Sequence, residues 1–361
     1  MFHEGWSAEV DDYAIVCGWA LKGKLFIVGD VVGGLYGFEG DTGKLIWKKD
    51  EAHSGGLLAM SIHPNGEIFA TSGQDGIVRI LNCNNGEEIK AIKLGKGWVE
   101  HLSWSNGGLY LAVAFSKKVY VFNQDGNEQW SSEEHPSTVS AISWSNKNEL
   151  ATACYGRVTF FDIANKKTNQ KLEWQGSLVS MQLSPDGDIV ACGSQDNSVH
   201  FWRRSTGLDA EMTGYPGKPS HLSFDDSGML LATSGSERIT VWSFSGNGPE
   251  GTMPGELCHH TEPISSLAFS NKGLLVASGS RDGSVVASFL KNDGNGDPVG
   301  AAFAGDLVGD IAWRPDDCAL AAINAKGVVT VWNFKVRTSS FSKGFKSVSY
   351  THLRAHETYD H

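Results

Sequence analysis

The chain has 361 residues with 43 glycines, 12 tryptophans and only 20% charged side chains, 30 basic against 41 acidic, for a net charge of −11. Glycine without a G-X-Y period excludes a collagen-like chain, and 40% hydrophobic residues exclude wholesale disorder. The acidic balance argues against a nucleic-acid or anionic-membrane binder. Six cysteines (Cys17, Cys83, Cys154, Cys192, Cys258, Cys318) lie far apart, with no C-x-x-C and no zinc-like spacing to histidines, and read as reduced core residues. The N-terminus, Met-Phe-His-Glu-Gly-Trp, lacks the basic and apolar regions of a secretory signal, and no window approaches the ~18 apolar residues of a membrane span. A cytoplasmic location is therefore expected.

In chain order, EGWSAEV (4–10) alternates as a strand before the polar break Asp11-Asp12. A phrase of apolar, small and aromatic residues then recurs: AIVCGWA (14–20), LLAMSIH (57–63), VEHLSWS (99–105), VSAISWS (139–145), LVSMQLS (178–184), PSHLSFD (219–225), ISSLAFS (264–270) and VGDIAWR (308–314). Its marker residues Trp19, Ile62, Trp104, Trp144, Leu183, Phe224, Phe269 and Trp313 are spaced by 43, 42, 40, 39, 41, 45 and 44. That is the period of about 40–45 residues expected of four-stranded propeller blades, and it overrules a division into several domains by length. A second apolar strand follows within each unit (IFATSG 68–73, LAVAF 111–115, ELATAC 149–154, IVACGS 189–194, LLATSG 230–235, LVASGS 275–280). Tight turns at Asp75-Gly76, Tyr155-Gly156, Asp196-Asn197 and Asp282-Gly283 lead to third strands such as VRIL (78–81), VHFW (199–202) and VTVW (329–332). No stretch keeps a helical period, so almost no helix is expected.

The runs at 184–202 (Ser-Pro-Asp-Gly through His-Phe-Trp) and at 277–285 (Ala-Ser-Gly-Ser-Arg-Asp-Gly-Ser-Val) resemble WD40 repeats. The resemblance implies a single all-β propeller of four-stranded antiparallel blades over 1–335. Eight blades is the direct count, with seven if the first unit is not a full blade. The last copy offers three strands, so residues 4–10 are expected to close the ring as its outer strand. The resemblance also implies a network of a His before the first strand, a Ser or Thr on the second, an Asp in the b–c turn and a Trp ending the third. His53, Ser72 and Asp75 match in one unit, where Leu81 replaces the Trp. Asp196 and Trp202 occur in another without a His, and Asp282 lies near His259 and His260 with Ser288 in the Trp place. Complete networks are therefore not expected, and apolar packing must hold the blades. SVHFW (198–202), MTGYPGKPSHLSF (212–224) and GNGPEGTMPGEL (246–257) resemble an uncharacterised WD40 subfamily of bacteria and photosynthetic organisms, which implies a metallochaperone-like GTPase as a partner. GDTGKLIWKK (40–49) resembles a quinoprotein blade motif; a quinoprotein is disfavoured by the missing secretory signal and the absence of repeated docking motifs. Residues 336–361 break the repeat, resemble translated adaptor sequence, and are read as a disordered or non-native tail. Without them the body carries 26 basic against 39 acidic residues.

No nucleophile elbow, Walker A loop or H-E-x-x-H is present, so no enzyme, cofactor or metal is expected. Cys258, His259 and His260 provide at most three of four metal ligands, and the bland reading makes one histidine structural. Asp75, Asp196 and Asp282 read as acceptors that fix b–c turns rather than as acids or ligands. The marker tryptophans read as core rather than a stacking platform. Large or cationic residues on the d–a and b–c connections, which share one rim, are the partner-binding candidates: Trp98, Tyr155, Trp174, Gln195, Tyr215, Arg238 and Arg281. The expected function is a non-enzymatic, monomeric protein-interaction scaffold with a protein or peptide partner, a basic one favoured by charge. The rivals are a central-channel ligand or metal binder, including a GTPase accessory, and a propeller enzyme.

Overall fold

The computed structural model describes residues 1–335 apart from Asn247; the segment 336–361, expected to stand apart from the propeller, lies outside the described residues. The chain is a β-propeller of antiparallel strands, and its only helical element among the described residues is a 3₁₀ turn at Leu21–Gly23. Each repeat runs from an inner strand outward. The first unit shows the pattern, with Ala14–Ala20, Leu25–Asp30, Leu35–Glu39 and Leu45–Lys49 paired in order as one four-stranded sheet. No helix among the described residues is long and apolar enough to cross a membrane.

The expected eight separate blades are corrected to seven hydrogen-bonded sheets, six of four strands and one of six. The lower count does not arise at the first unit, which is complete. It arises where the spacing between markers is shortest, 39 residues between Trp144 and Leu183. There Lys167–Leu183 runs unbroken from the outer strand of one copy into the inner strand of the next, and Glu149–Asp162 folds back at Tyr155-Gly156, where Thr152 Oγ1 comes within 3.4 Å of Thr159 O. Tyr155 pairs with Ser177 and Arg157 with Glu173 on either side of a shift in register, so the ladder resumes across residues 174–176, which bulge between the two pairs. Two copies of the repeat thereby share a six-stranded sheet.

Inner strands neighbour one another in a closed cycle, with Val308–Trp313 packed beside both Ile264–Phe269 and Ala14–Ala20. The core lies between sheets rather than within one. Each apolar cluster draws on two consecutive copies, for example Phe26, Val28 and Trp19 with Ala321, Ile323 and Val331. Repeat architectures are stabilised this way because no unit can cover its own apolar face. Three of the four marker tryptophans stitch the same joints: Trp19 Nε1 donates to Ala312 O at 3.1 Å, Trp144 Nε1 to Ser103 O at 3.0 Å and Trp313 Nε1 to Ala268 O at 3.2 Å.

Phe2–Glu9 pairs antiparallel with Val328–Phe334, so the two ends of the described chain meet in the sheet of Val308–Trp313 and Ala319–Asn324. Trp6 on that strand reaches the first unit, donating from Nε1 to Gly40 O at 2.8 Å. Its ring lies over Gly43, where φ is +72° and an added Cβ would sit 2.4 Å from the ring. Trp47 repeats the arrangement one unit on, with Nε1 to Cys83 O at 2.7 Å and its ring over Gly86, φ +68°. The docking motif read once in the sequence, at 40–49, thus occurs twice. Gly is required at both turns because a side chain would meet strain and the ring together.

Candidate functional site

All d–a and b–c connections lie on one face of the disc, because each strand reverses direction. The position nine residues before each marker falls on the d–a connection and is occupied in turn by Val10, His53, Gly95, His135, Trp174, Tyr215, His260 and Ala304. Three histidines and one tyrosine there make the same contact, to a hydroxyl on the second strand. His53 Nε2 lies 2.9 Å from Thr71 Oγ1, His135 Nε2 2.9 Å from Thr152 Oγ1, Tyr215 OH 2.7 Å from Thr233 Oγ1, and His260 Nε2 2.7 Å from Ser278 Oγ. Burial pushes the ring pKa of all three histidines down, so each is neutral and uses one nitrogen to donate and one to accept. His53 faces Asp75 through Nδ1 at 3.1 Å, and His260 faces Ser284, which donates to Asp282.

Several sequence-based assignments change on this geometry. Thr71, not Ser72, completes the His53 network, because Ser72 points across the joint and donates to Val99 O at 2.8 Å. Tyr215 is not a surface anchor: it is 9% exposed, accepts from Trp242 Nε1 at 2.7 Å and replaces the histidine of its unit. Burial raises its hydroxyl pKa to about 12. Trp174 is half-buried and stacks on His200 at 3.7 Å, with His200 edge-on to Trp202 at 4.2 Å, so an aromatic stack stands in the unit that has Asp196 but no histidine in the loop. Asp196 accepts from Ser198 Oγ at 2.8 Å. Both ring nitrogens of His260 are engaged by serines, leaving none for a metal; His259 is half-buried and contributes no hydrogen bond from its buried Nε2. No cluster of three or more metal-ligating side chains occurs among the described residues. His135, Thr152, Thr233 and Trp242 escape a pattern that requires a complete His-Ser-Asp-Trp set, although the position nine residues before the marker locates His135.

Tyr215→Phe is expected to destabilise the protein by about 1–3 kcal/mol, since it leaves the Trp242 indole N–H buried without an acceptor and removes a partner of Thr233. A urea denaturation midpoint unchanged from wild type would contradict this.

The remaining candidates are exposed and divide the face in two. Over the first four units Trp98 is 57% and Tyr155 60% exposed. Exposed carboxylates Asp12, Glu51, Glu100, Glu133 and Glu134 stand on the connections around them. Tyr155 and Glu100 border a cleft of about 600 Å³ with His101, Thr138 and Leu178. Further round, Gln195 is exposed, Arg238 pairs with Glu256 at 3.5 Å, and Arg281 borders a second cleft of about 550 Å³ with Lys218 and His221. Between the inner strands, Asp310 accepts from Ser266 Oγ at 2.8 Å and lies 3.7 Å from Cys17 Sγ; burial raises both pKa values.

Sheets arranged around a closed ring, with His–Thr and Tyr–Thr–Trp chains tying connections to second strands, define a WD40-type β-propeller. A family model described as outer membrane protein assembly factor BamB matches residues 4–211, and one described as WD domain, G-beta repeat matches residues 251–286. The chain belongs to the family of the first model, whose match takes in more than half of its length, and its repeats are WD40 repeats. Among similar proteins, Autophagy-related protein 16 of Arabidopsis thaliana is 24% identical over 194 residues, 52% of this chain and 38% of that protein. Actin-interacting protein 1 of Caenorhabditis elegans is 21% identical over 298 residues, 78% of this chain and 47% of that one. The chain thus spans less than half the length of these relatives. The crystal structure of the computationally designed Ika8 protein superposes with a TM-score of 0.77 at 19% identity, covering 90% of this chain and 98% of Ika8, a likeness of fold alone.

Proposed function

We propose that the chain is a non-enzymatic scaffold that docks a protein partner on the face formed by its d–a and b–c connections. The observation that carries this reading is the exposure of Trp98 and Tyr155 on a face where Tyr215, His53, His135 and His260 are buried and internally bonded. Aromatic side chains left in water beside a rigid frame are the residue type that anchors interfaces. Glu100 at the Tyr155 cleft and the carboxylates of neighbouring connections favour a basic segment, whose Lys or Arg would meet both a ring face and a carboxylate. Gln195, Arg238 and Arg281 extend the same face. Relatives named for autophagy and for actin interaction share the repeat at low identity, which fits a frame whose loops set the partner rather than a single chemistry.

The test is affinity capture with the 361-residue chain beside a Trp98→Ser/Tyr155→Ser variant of unchanged melting profile. A defined protein recovered by the wild type, lost by the variant and released between about 50 and 500 mM salt is the expected outcome. A partner retained by the variant, or one indifferent to salt, overturns the assignment of this face.

A further inference from the structure

The second cleft on this face has the opposite character from the first. Its walls come from the connection Gly217–Ser220 with His221, from the turn Ser234–Ser236, from Pro263–Ser265, from Arg281, and from Leu307–Gly309 with Tyr13 across the joint. None of these lining residues is acidic, in a chain with 41 acidic side chains. Several arginines and lysines elsewhere are paired: Arg79 with Glu88, Arg204 with Glu149, Arg238 with Glu256, Arg314 with Asp41 and Asp316, Lys326 with Asp306. Lys218 and Arg281 have no carboxylate partner among the described residues, and the side chains of Ser220 and His221 make no hydrogen bond there.

Four donors of different kinds therefore line one cleft that contains no carboxylate: an ammonium, a guanidinium, a hydroxyl and an imidazole N–H. Burial and the neighbouring Arg281 hold His221 neutral, so its ring still offers one N–H. A guanidinium is suited to an oxyanion presenting two oxygens, and a lysine adds a point charge. We propose that the cleft of Lys218, Ser220, His221 and Arg281 is a binding site for a phosphate monoester, whose dianion and several acceptor oxygens match this donor set. The site does not rest on the aromatic arc over the first four units, and Arg281 is the one residue that it shares with the proposed docking face.

Isothermal titration calorimetry of the 361-residue chain in chloride buffer tests this, with inorganic phosphate and a phosphoserine tripeptide as probes. One saturable site is expected, weakened roughly tenfold or more by Arg281→Gln and by Lys218→Gln. Both side chains are exposed, so folding should survive, and a melting profile checks it. Lys291→Gln, which removes the same charge from the turn between Ser284–Leu290 and Gly296–Phe303 on the opposite face, should change affinity less than about twofold because charges so far apart are screened. Tighter binding of the tripeptide by about tenfold identifies a phosphorylated side chain as the source, and equal or weaker binding identifies a free phosphate compound. No saturation by either probe up to about 10 mM, or binding unchanged in both cleft variants, overturns the site. These probes bypass Trp98 and Tyr155, so failure here is distinguishable from failure of the scaffold reading.

Discussion

A chain lacking residues 1–9 is expected to unfold at a much lower urea concentration than the full chain and to self-associate. Seven residues of Phe2–Glu9 are registered against Val328–Phe334, and Trp6 adds a ring packed on Phe26 and Phe38 with a bond to Gly40 O. Removing a packed tryptophan alone costs about 3–5 kcal/mol, a large part of the roughly 5–15 kcal/mol that holds a domain together. The shortened chain would also expose Val328–Phe334 as an unpaired edge, which templates pairing with another molecule. Denaturation with size-exclusion chromatography checks both parts. Trp6→Ala separates them: it should lower the midpoint while leaving a monomer, because the backbone pairing remains. A truncated chain as stable as the full one would show that the closing strand contributes nothing to the ring.

Trp47→Ala is expected to cost about 3–5 kcal/mol, read as a shift of the urea midpoint. The ring is 9% exposed, stacks on Phe69 and rests on Gly86, while Nε1 satisfies Cys83 O across the joint. Gly86→Ala acts on the same contact from the other side, since its φ of +68° is strained for an L residue and the new Cβ would sit 2.6 Å from the ring. The two losses should not add, because each destroys what the other would lose, and the coupling measured in the double variant reports the docking contact itself. Additive losses would mean that Trp47 stabilises its own sheet rather than the joint.

The extent of the match over 4–211 gives the docking pair a context that a single sequence copy did not suggest. Trp6 and Trp47 lie on strands from different copies, and the glycine each covers is 37 or 39 residues further on. Such pairs are invisible to a local motif search, because the tryptophan and the turn it covers belong to different repeats.

Strand period, turn residues and the marker spacing were enough to place every inner strand, since alternation and Gly- or Asp-bearing turns are local consequences of the chain. The same locality explains the failures. Tyr215 looked like a loop aromatic because nothing nearby reveals that Thr233 and Trp242, 18 and 27 residues away, converge on its hydroxyl. Ser72 and Thr71 are adjacent on one strand, so which of them meets His53 depends on the face that the strand turns toward its own loop. The count of separate sheets depended on whether pairing resumes beyond Trp174-Gln175-Gly176, and that is settled by Tyr155, which pairs with Ser177 across the bulge. Period, polarity and turn chemistry are properties of consecutive residues, whereas burial, cross-joint bonding and the charge of a cleft arise from residues that meet only when the ring is closed. Lys218 and Arg281 share a cleft for that second reason, 63 positions apart in the chain.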